Sequence, residues 1–387
     1  MKKRLNEKLR LYAPGPTDVD FDFINANRRI LHHRSGDFKK FFSGLIKLIN
    51  RVVGNKTGSS VLMSGSGTSA MEMVVNSYAD REGKNIIFSG GTFGKRWDHI
   101  FQAYNIKSEY FYYGMTEQLT PEKVEEVIKG KDIKKVFLTH TETSSGWKIK
   151  LKEIVKVLDE KGIKVVADSV ASIGADNFKM EDWKISVMVT ATQKGLNLPP
   201  GLGIVSFSND AKEEILNNPA RGFYFDLKTY LTWNDKDSTP YTPAVSLMYV
   251  LEKRLNQILD YGLDAWFAER KVLADLLRDG LKGLGLKLNA EKSPANGVTV
   301  VFLPEGVTSE YFREEVKKKF SIFFAPGRDE LNDNTFRIGH FYPFDEEDLF
   351  FCISAIGTVL EGLRPEITTE KALGIIQKKL AEIRKNL

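Results

Sequence analysis

Between residues 20 and 250 the chain alternates short apolar, β-rich runs with segments of helical spacing, and few folds tolerate that pattern. SSVLMSGSG leads into TSAMEMVVNSYAD; KNIIFSG and KKVFLTH are strand-like runs. In LKEIVKVLDEKG, Ile154, Val155, Val157 and Leu158 share one helical face, and Gly162 follows as a stop. IKVVADSV, ISVMVTAT and GIVSFS are further strand-like runs. Such runs lack the polar alternation of a half-exposed strand, so both faces must be covered. Strand, helix, strand at this spacing predicts an α/β fold, a mostly parallel sheet covered by helices.

After about residue 245 the texture changes. A long helical pattern runs through SLMYVLEKRLNQILDYGLDAWFAERKVLADLLRDGLKGLG, as more than one helix. The strand GVTVVFLP, a helix from TSEYFREEVKKKF, the strands SIFFAPG and TFRIGHF, an amphipathic helix and the helical tail TTEKALGIIQKKLAEIRKNL follow. The expected division is a large α/β domain over 16–255 and a smaller C-terminal α+β domain over 256–387 together with 1–15. The cleft between them is the expected site.

Composition narrows the function. With 387 residues, 42% of them hydrophobic, the chain can bury a large core. Lys and Arg number 56 against 51 Asp and Glu, a net charge of +5 with no long block of one sign. That surface suits small anionic molecules and argues against nucleic acid. One cysteine excludes an internal disulfide framework and fits a reducing, cytoplasmic setting. MKKRLNEKLRLYAPGP has no apolar stretch of signal-peptide length, and no run approaches the roughly 20 residues that span a bilayer.

Five short stretches can carry chemistry. In SGSGTSAMEM, small residues between a strand and a helix leave the N–H groups of Ser66, Gly67 and Thr68 free to face an anion at the helix N-terminus. The loop is neither a P-loop nor GxGxxG, which argues against a nucleoside triphosphate or a dinucleotide. In VVADSVAS, Asp168 ends a buried run, either as a helix cap or as the partner of a cofactor's ring nitrogen. In TATQKGLNLPPGLG, Lys194 ends the next run before Pro199 and Pro200, either as a first exposed residue or as an amine facing a ligand. THTETSSGW supplies His140, Glu142 and Thr143, and SGGTFGKRW places Phe93 where a ring could stack on a planar cofactor or pack on the core. Together, a phosphate cradle, a carboxylate, a lysine and a loop aromatic describe a pyridoxal phosphate site. There the lysine forms a Schiff base, and the aspartate keeps the pyridine protonated as an electron sink.

With these motifs the chain resembles the class V aminotransferases of fold type I, the group around alanine–glyoxylate, serine–pyruvate and phosphoserine aminotransferases. The resemblance runs through APGPTDV, HHRSGDF, SGSGTSAME, HTETSSG, ADSVASIGA, TATQKGLNLPPGLG, YTPAVSL and FRIGH, in the family's order. It implies Lys194 as the Schiff-base lysine and Asp168 on the pyridine nitrogen. Ser66, Gly67, Thr68 and Gln193 would hold the phosphate, and Val170 and Phe93 the two ring faces. Thr143 would meet the phenolic oxygen. Thr242, with Tyr241 beside it, would reach the phosphate of the other subunit of a homodimer, and Arg337 would grip the substrate's α-carboxylate.

The implied reaction moves an amino group between alanine, serine or aspartate and glyoxylate, pyruvate or 2-oxoglutarate, with no metal. A phosphoserine aminotransferase, a cysteine desulfurase-like lyase and a non-catalytic relative are the alternatives. A desulfurase commonly needs a mobile thiol, whereas Cys352 lies in an apolar helical run. His33 and Arg34 are candidates to approach an acidic or phosphorylated side chain or to lie on the surface. His140 reads first as structural, and His340 is open.

Overall fold

The computed structural model describes residues 9–19, 21–24 and 28–385. In chain order the first half forms β1 (Arg10–Tyr12), α1 (Phe21–Ile24), α2 (Gly36–Val53), β2 (Ser59–Gly65), α3 (Gly67–Tyr78), β3 (Asn85–Ser89), α4 (Thr92–Ala103), β4 (Glu109–Tyr112), α5 (Pro121–Ile128) and β5 (Lys135–Thr139). There follow β6 (Thr141–Glu142), β7 (Trp147–Lys148), α6 (Leu151–Asp159), β8 (Lys164–Asp168), β9 (Val187–Ala191), β10 (Gly201–Phe207), α7 (Asn209–Asn217) and α8 (Leu227–Asn234). The remainder is α9 (Val245–Tyr261), α10 (Leu263–Gly283), β11 (Val298–Phe302), α11 (Ser309–Phe320), β12 (Ile322–Pro326), β13 (Thr335–Gly339), α12 (Glu346–Glu361) and α13 (Thr369–Lys385).

The apolar runs pair into one seven-stranded sheet in the order β2-β10-β9-β8-β5-β3-β4. Every neighbouring pair is parallel except β10, which runs antiparallel to both β2 and β9. Strands β3, β5 and β9 are buried along their whole length, as runs without polar alternation must be. Because six strands point the same way, their carboxyl ends share one edge of the sheet. That edge receives the segments after Gly65, Ser89, Thr139, Asp168 and Ala191, which contain most of the candidate residues.

Two elements differ from the sequence reading. Strand β4 is an edge strand with both faces largely exposed, so it has no apolar signature to read. The stretch HTETSSGW, which has no apolar strand pattern, folds into the small β6–β7 hairpin, whose polar residues Glu142, Thr143, Ser144 and Ser145 are all buried.

A second sheet, β1-β12-β13-β11, is covered by α11, α12 and neighbouring helices. Its core includes Phe312, Phe324, Phe336, Ile338, Leu349 and Cys352. The long helical pattern breaks at Gly262, whose φ of 90° a side chain would oppose, giving α9 and α10. Helix α10 serves both cores. Trp266 and Phe267 pack into the large one, while Leu276, Leu277 and Leu281 pack into the small one. The indole N–H of Trp266 also donates to the Gly174 carbonyl at 2.8 Å, tying α10 to the loop after Asp168.

Candidate active site

The carboxyl edge of the large sheet opens into a cavity of about 270 Å³. Asp168 and Lys194 reach it from adjacent strand ends because two backbones interlock beneath them. A Cβ at Gly195 would lie 2.2 Å from the Ile173 carbonyl, and one at Gly174 would lie 2.4 Å from the Gly195 carbonyl. Glycine at both positions lets the turn after β8 and the turn after β9 touch. The Lys194 turn is closed by Asn197 N–H to the Lys194 carbonyl at 2.8 Å and by Leu198 N–H to the Thr192 carbonyl at 3.0 Å. Thr192 Oγ1 donates to the Pro199 carbonyl at 2.7 Å, so the proline pair holds this turn rigid.

The two charges perturb one another and are both short of water. Burial lowers the Lys194 pKa to about 8; repulsion from Arg337 and Arg96 adds to this, against attraction by Asp168. Its amine donates to the Pro14 carbonyl and lies 5.4 Å from the centre of the Phe93 ring. Burial raises the Asp168 pKa to about 6, against the Val170 N–H bond at 2.9 Å and the attraction of Arg96 and Lys194. A carboxyl and an amine shifted towards each other at one cavity mark a site of proton chemistry.

The opposite wall is the N-terminus of α3. Ser66 is its N-cap, but no side chain accepts from the first turn, so the leading amides face the cavity uncapped. A Cβ at Gly67 would lie 2.7 Å from Val170 Cγ2; glycine lets the helix end come up against that side chain. Thr68 Oγ1 accepts from Arg96 at 2.9 Å, and the Arg96 guanidinium lies 4.9 Å from the Phe93 ring centre.

The start of α4, which carries Phe93 and Arg96, is held by Glu142. This buried carboxylate accepts from Phe93 N–H at 3.1 Å, Gly94 N–H at 2.8 Å, and Ser144 N–H and Oγ at 3.1 and 2.5 Å. It therefore caps α4 from the β6–β7 hairpin, although burial still pushes its pKa up.

Nine sequence-predicted residues line this one cavity: Ser66, Gly67, Thr68, Phe93, Thr143, Asp168, Val170, Gln193 and Lys194. Arg337 sits behind the wall. On β13, Phe336 and Ile338 enter the small core, and the alternation turns Arg337 the other way. Its Nε donates to the Pro326 carbonyl at 2.7 Å and its Nη1 to the Thr143 carbonyl at 3.1 Å, which leaves further N–H groups for a ligand. Burial and repulsion from Arg328 lower its pKa to about 10.

Tyr241 and Thr242 do not line the cavity. Tyr241 stacks on Tyr224 with centroids 4.8 Å apart, and Thr242 is exposed beside His33 in a separate concavity of about 400 Å³. Arg34 is likewise absent from the cavity. It donates to Ser238 Oγ and to the Thr239 and Pro240 carbonyls and lies 4.0 Å from the Trp233 ring centre, fixing the segment that leads to Thr242. His140 is buried against Phe178 and Trp183, with a pKa lowered to about 4 by burial. His340, also buried, pairs with Thr299 Oγ1 at 2.9 Å. Cys352 is a core residue whose thiol burial pushes up in pKa.

Sequence reasoning missed Arg96 and the Pro14–Gly15 turn, and it singled out Glu142 without its role as the cap of α4. Arg96 had a legible signal, since it stands three residues after Phe93 and so on the same helical face. A larger cleft of about 790 Å³ near the α9–α10 joint, lined by Lys47, Arg51, Asp182 and Asp264 among others, has none of these convergent groups.

The residues present fit a flat, phosphorylated, aldehyde-bearing group. One side-chain amide atom of Gln193 is buried at the cavity wall without a partner among the described residues. With the amide turned over, that position offers an N–H to an anion. The uncapped α3 terminus beside it has the same preference.

A mostly parallel α/β sheet with a lysine and an aspartate on adjacent strand ends, facing an anion-binding helix terminus, defines the fold type I class of pyridoxal-phosphate enzymes. Within it the chain belongs to the aminotransferase class-V family, whose model matches residues 21–328. It is similar to an uncharacterized aminotransferase of Methanocaldococcus jannaschii, 32% identical over 93% of this chain and 94% of the relative. It is also similar to the L-aspartate–glyoxylate aminotransferase of Paracoccus denitrificans, 28% identical over 85% of each. The structure of ureidoglycine–glyoxylate aminotransferase from Bacillus subtilis superposes with a TM-score of 0.89 at 25% identity, covering 97% of this chain and 99% of that one. The protein is an aminotransferase.

Proposed function

We propose that the cavity binds pyridoxal 5′-phosphate and that a homodimer of this chain moves an amino group between a small amino acid and a 2-oxo acid. The observation that carries this reading is the placement of Lys194 and Asp168 on adjacent strand ends around one cavity with the uncapped α3 terminus. When bound, the cofactor supplies an aldehyde for the amino group and a ring that draws electrons from Cα.

The amides of Gly67 and Thr68, the Ser66 hydroxyl, the Gln193 amide and Arg96 hold the phosphate. Asp168 holds a proton on the ring nitrogen, a task suited to a carboxylate screened from water. Val170 and Phe93 cover the ring faces, and Thr143 meets its phenolic oxygen. Lys194 is the attachment point. Its amine, with a pKa lowered to about 8 and so readily neutral, would serve as the general base and acid for the proton at the substrate's Cα. Arg337 grips the α-carboxylate with the N–H groups its two carbonyl partners leave free.

Thr242 and Tyr241 complete the phosphate site of the second subunit, in keeping with the exposure of Thr242. Alanine, serine or aspartate serves as donor; the names of the Paracoccus and Bacillus relatives support glyoxylate as an acceptor. A desulfurase-like reaction is disfavoured by the burial of Cys352. The domain division proposed is 16–255 and 256–387 with 1–15, with α10 reaching into both cores. A cytoplasmic location is proposed from the single cysteine; among the described residues no helix is long and apolar enough to cross a membrane.

The test is a matrix of donors and acceptors, assayed for both products with the cofactor-loaded protein. Paired formation of a new amino acid and a new 2-oxo acid is expected for at least one combination. No conversion in any combination of alanine, serine or aspartate with glyoxylate, pyruvate or 2-oxoglutarate overturns the reading.

A further inference from the structure

The β12–β13 connection carries a cation that the mechanism above does not use. Three contacts pin this connection to the large sheet's side of the cavity. Thr92 Oγ1, at the start of α4, donates to Asp329 at 2.7 Å. Tyr112 of β4 donates through its hydroxyl to Glu330 at 2.6 Å. Leu331 is buried in a cluster with Met115 and Val300.

The turn is tight enough to need special backbone. A Cβ at Gly327 would lie 2.0 Å from the Leu331 carbonyl, and Asp329 adopts a φ of 45°, in the left-handed region that most side chains avoid. The residue so positioned is Arg328, which lines the cavity from its exposed rim. Its side chain makes no hydrogen bond or ion pair with the described residues. The neighbouring carboxylates are occupied: Asp329 by Thr92, Glu330 by Tyr112, Glu142 by the α4 amides.

Arg328 also stands close enough to Arg337 to repel it. Arg328 at the cavity rim and Arg337 behind its wall repel each other until anions arrive, and the nearby Glu142 carboxylate is already committed to the α4 amides. The phosphate has the α3 terminus and Arg96, and the α-carboxylate has Arg337. One positive charge is left over at the rim.

We infer that Arg328 binds a second anionic group at the far end of the substrate, so that the preferred donor or acceptor is a dianion. This inference rests on the aminotransferase reading and specifies its substrate class: an amino acid with an acidic or phosphorylated side chain and the matching 2-oxo acid. A carboxylate and a phosphate share the chemistry Arg328 recognises.

The test measures binding of non-reacting acids to the cofactor-loaded protein by titration calorimetry, in wild type, R328Q and R328K. Succinate and 3-phosphonopropionate each carry two anionic groups, and propionate carries one. Wild type should bind at least one of the dianions about tenfold to a hundredfold tighter than propionate, the value of one charge-assisted pair. Which dianion is favoured identifies the group as carboxylate or phosphate. R328Q should erase that margin while leaving propionate affinity unchanged, and R328K should keep part of it.

Equal binding of all three acids by wild type overturns the inference. So does an R328Q variant that weakens propionate and succinate alike, since Arg328 would then hold the shared carboxylate. Because no turnover is needed, a protein that discriminates these acids yet transaminates nothing refutes the proposed activity and leaves the role of Arg328 standing.

Discussion

In the cofactor-free protein, Lys194→Met should raise stability at neutral pH, and the gain should fade as pH rises. The native amine has a pKa of about 8 against an ordinary value of 10.5, chiefly because folding buries it and sets it near Arg337 and Arg96. The folded state therefore binds fewer protons than the unfolded state between about pH 8 and 10.5, so wild-type stability climbs with pH across that window. Below it, holding the charge in place costs about 3 kcal/mol at roughly 1.4 kcal/mol per pKa unit. The variant removes that cost but also the hydrogen bond to the Pro14 carbonyl, worth about 1 kcal/mol.

The expected net gain is about 2 kcal/mol at pH 7, falling to nearly nothing at pH 10. Urea unfolding followed by tryptophan fluorescence, at one protein concentration and several pH values, measures it. A gain that is the same at pH 7 and pH 10, or a variant less stable than wild type at pH 7, would refute the reasoning. Either result would mean that Lys194 is not held as a desolvated charge among cations.

Three further substitutions probe separate parts of the site. Asp168→Asn should keep the cofactor with affinity weakened by about 1.5–3 kcal/mol, while slowing Cα proton removal severely in stopped-flow half-reactions. An unchanged rate would mean that another group protonates the ring. Arg337→Lys should raise KM for amino acid and oxo acid together, since a lysine cannot form the paired hydrogen bonds, with unfolding stability near wild type. Unaltered KM with lost stability would make it structural. Glu142→Gln keeps the acceptor for the α4 amides but turns an N–H₂ towards Ser144 N–H, and should cost about 1–3 kcal/mol in urea unfolding. A change within a few tenths of a kcal/mol would mean the carboxylate is not the cap.

The large sheet was legible because its strands are covered on both faces, so Asn85–Ser89 or Val187–Ala191 reads as an unbroken apolar run. Strand β4 was not, because an exposed edge strand has no such run. The same logic separates the site residues. Lys194, Asp168 and Ser66 stand at strand ends, where topology alone brings them to one edge. Phe93 was legible as a loop aromatic, but its helix and Arg96 were not weighed.

The roles of Glu142 and Arg328 were illegible for a different reason. Each acts through long-range partners: Glu142 through the amides of α4, Arg328 through a connection pinned to Thr92 and Tyr112. No local pattern encodes those distances. Arg34 misled in the opposite direction, since a basic residue beside two histidines looked free for a ligand. In the fold its guanidinium is taken up by Ser238, Thr239 and Pro240.

The central claim is that Lys194 is where the cofactor attaches. Borohydride reduction of the protein purified with pyridoxal phosphate, followed by digestion and peptide mass spectrometry, addresses it directly. The account predicts a stable phosphopyridoxyl adduct on the peptide containing Lys194, lost in Lys194→Met while the variant still binds the cofactor non-covalently. An adduct on a different lysine, or none on a protein that nevertheless transaminates, would contradict it.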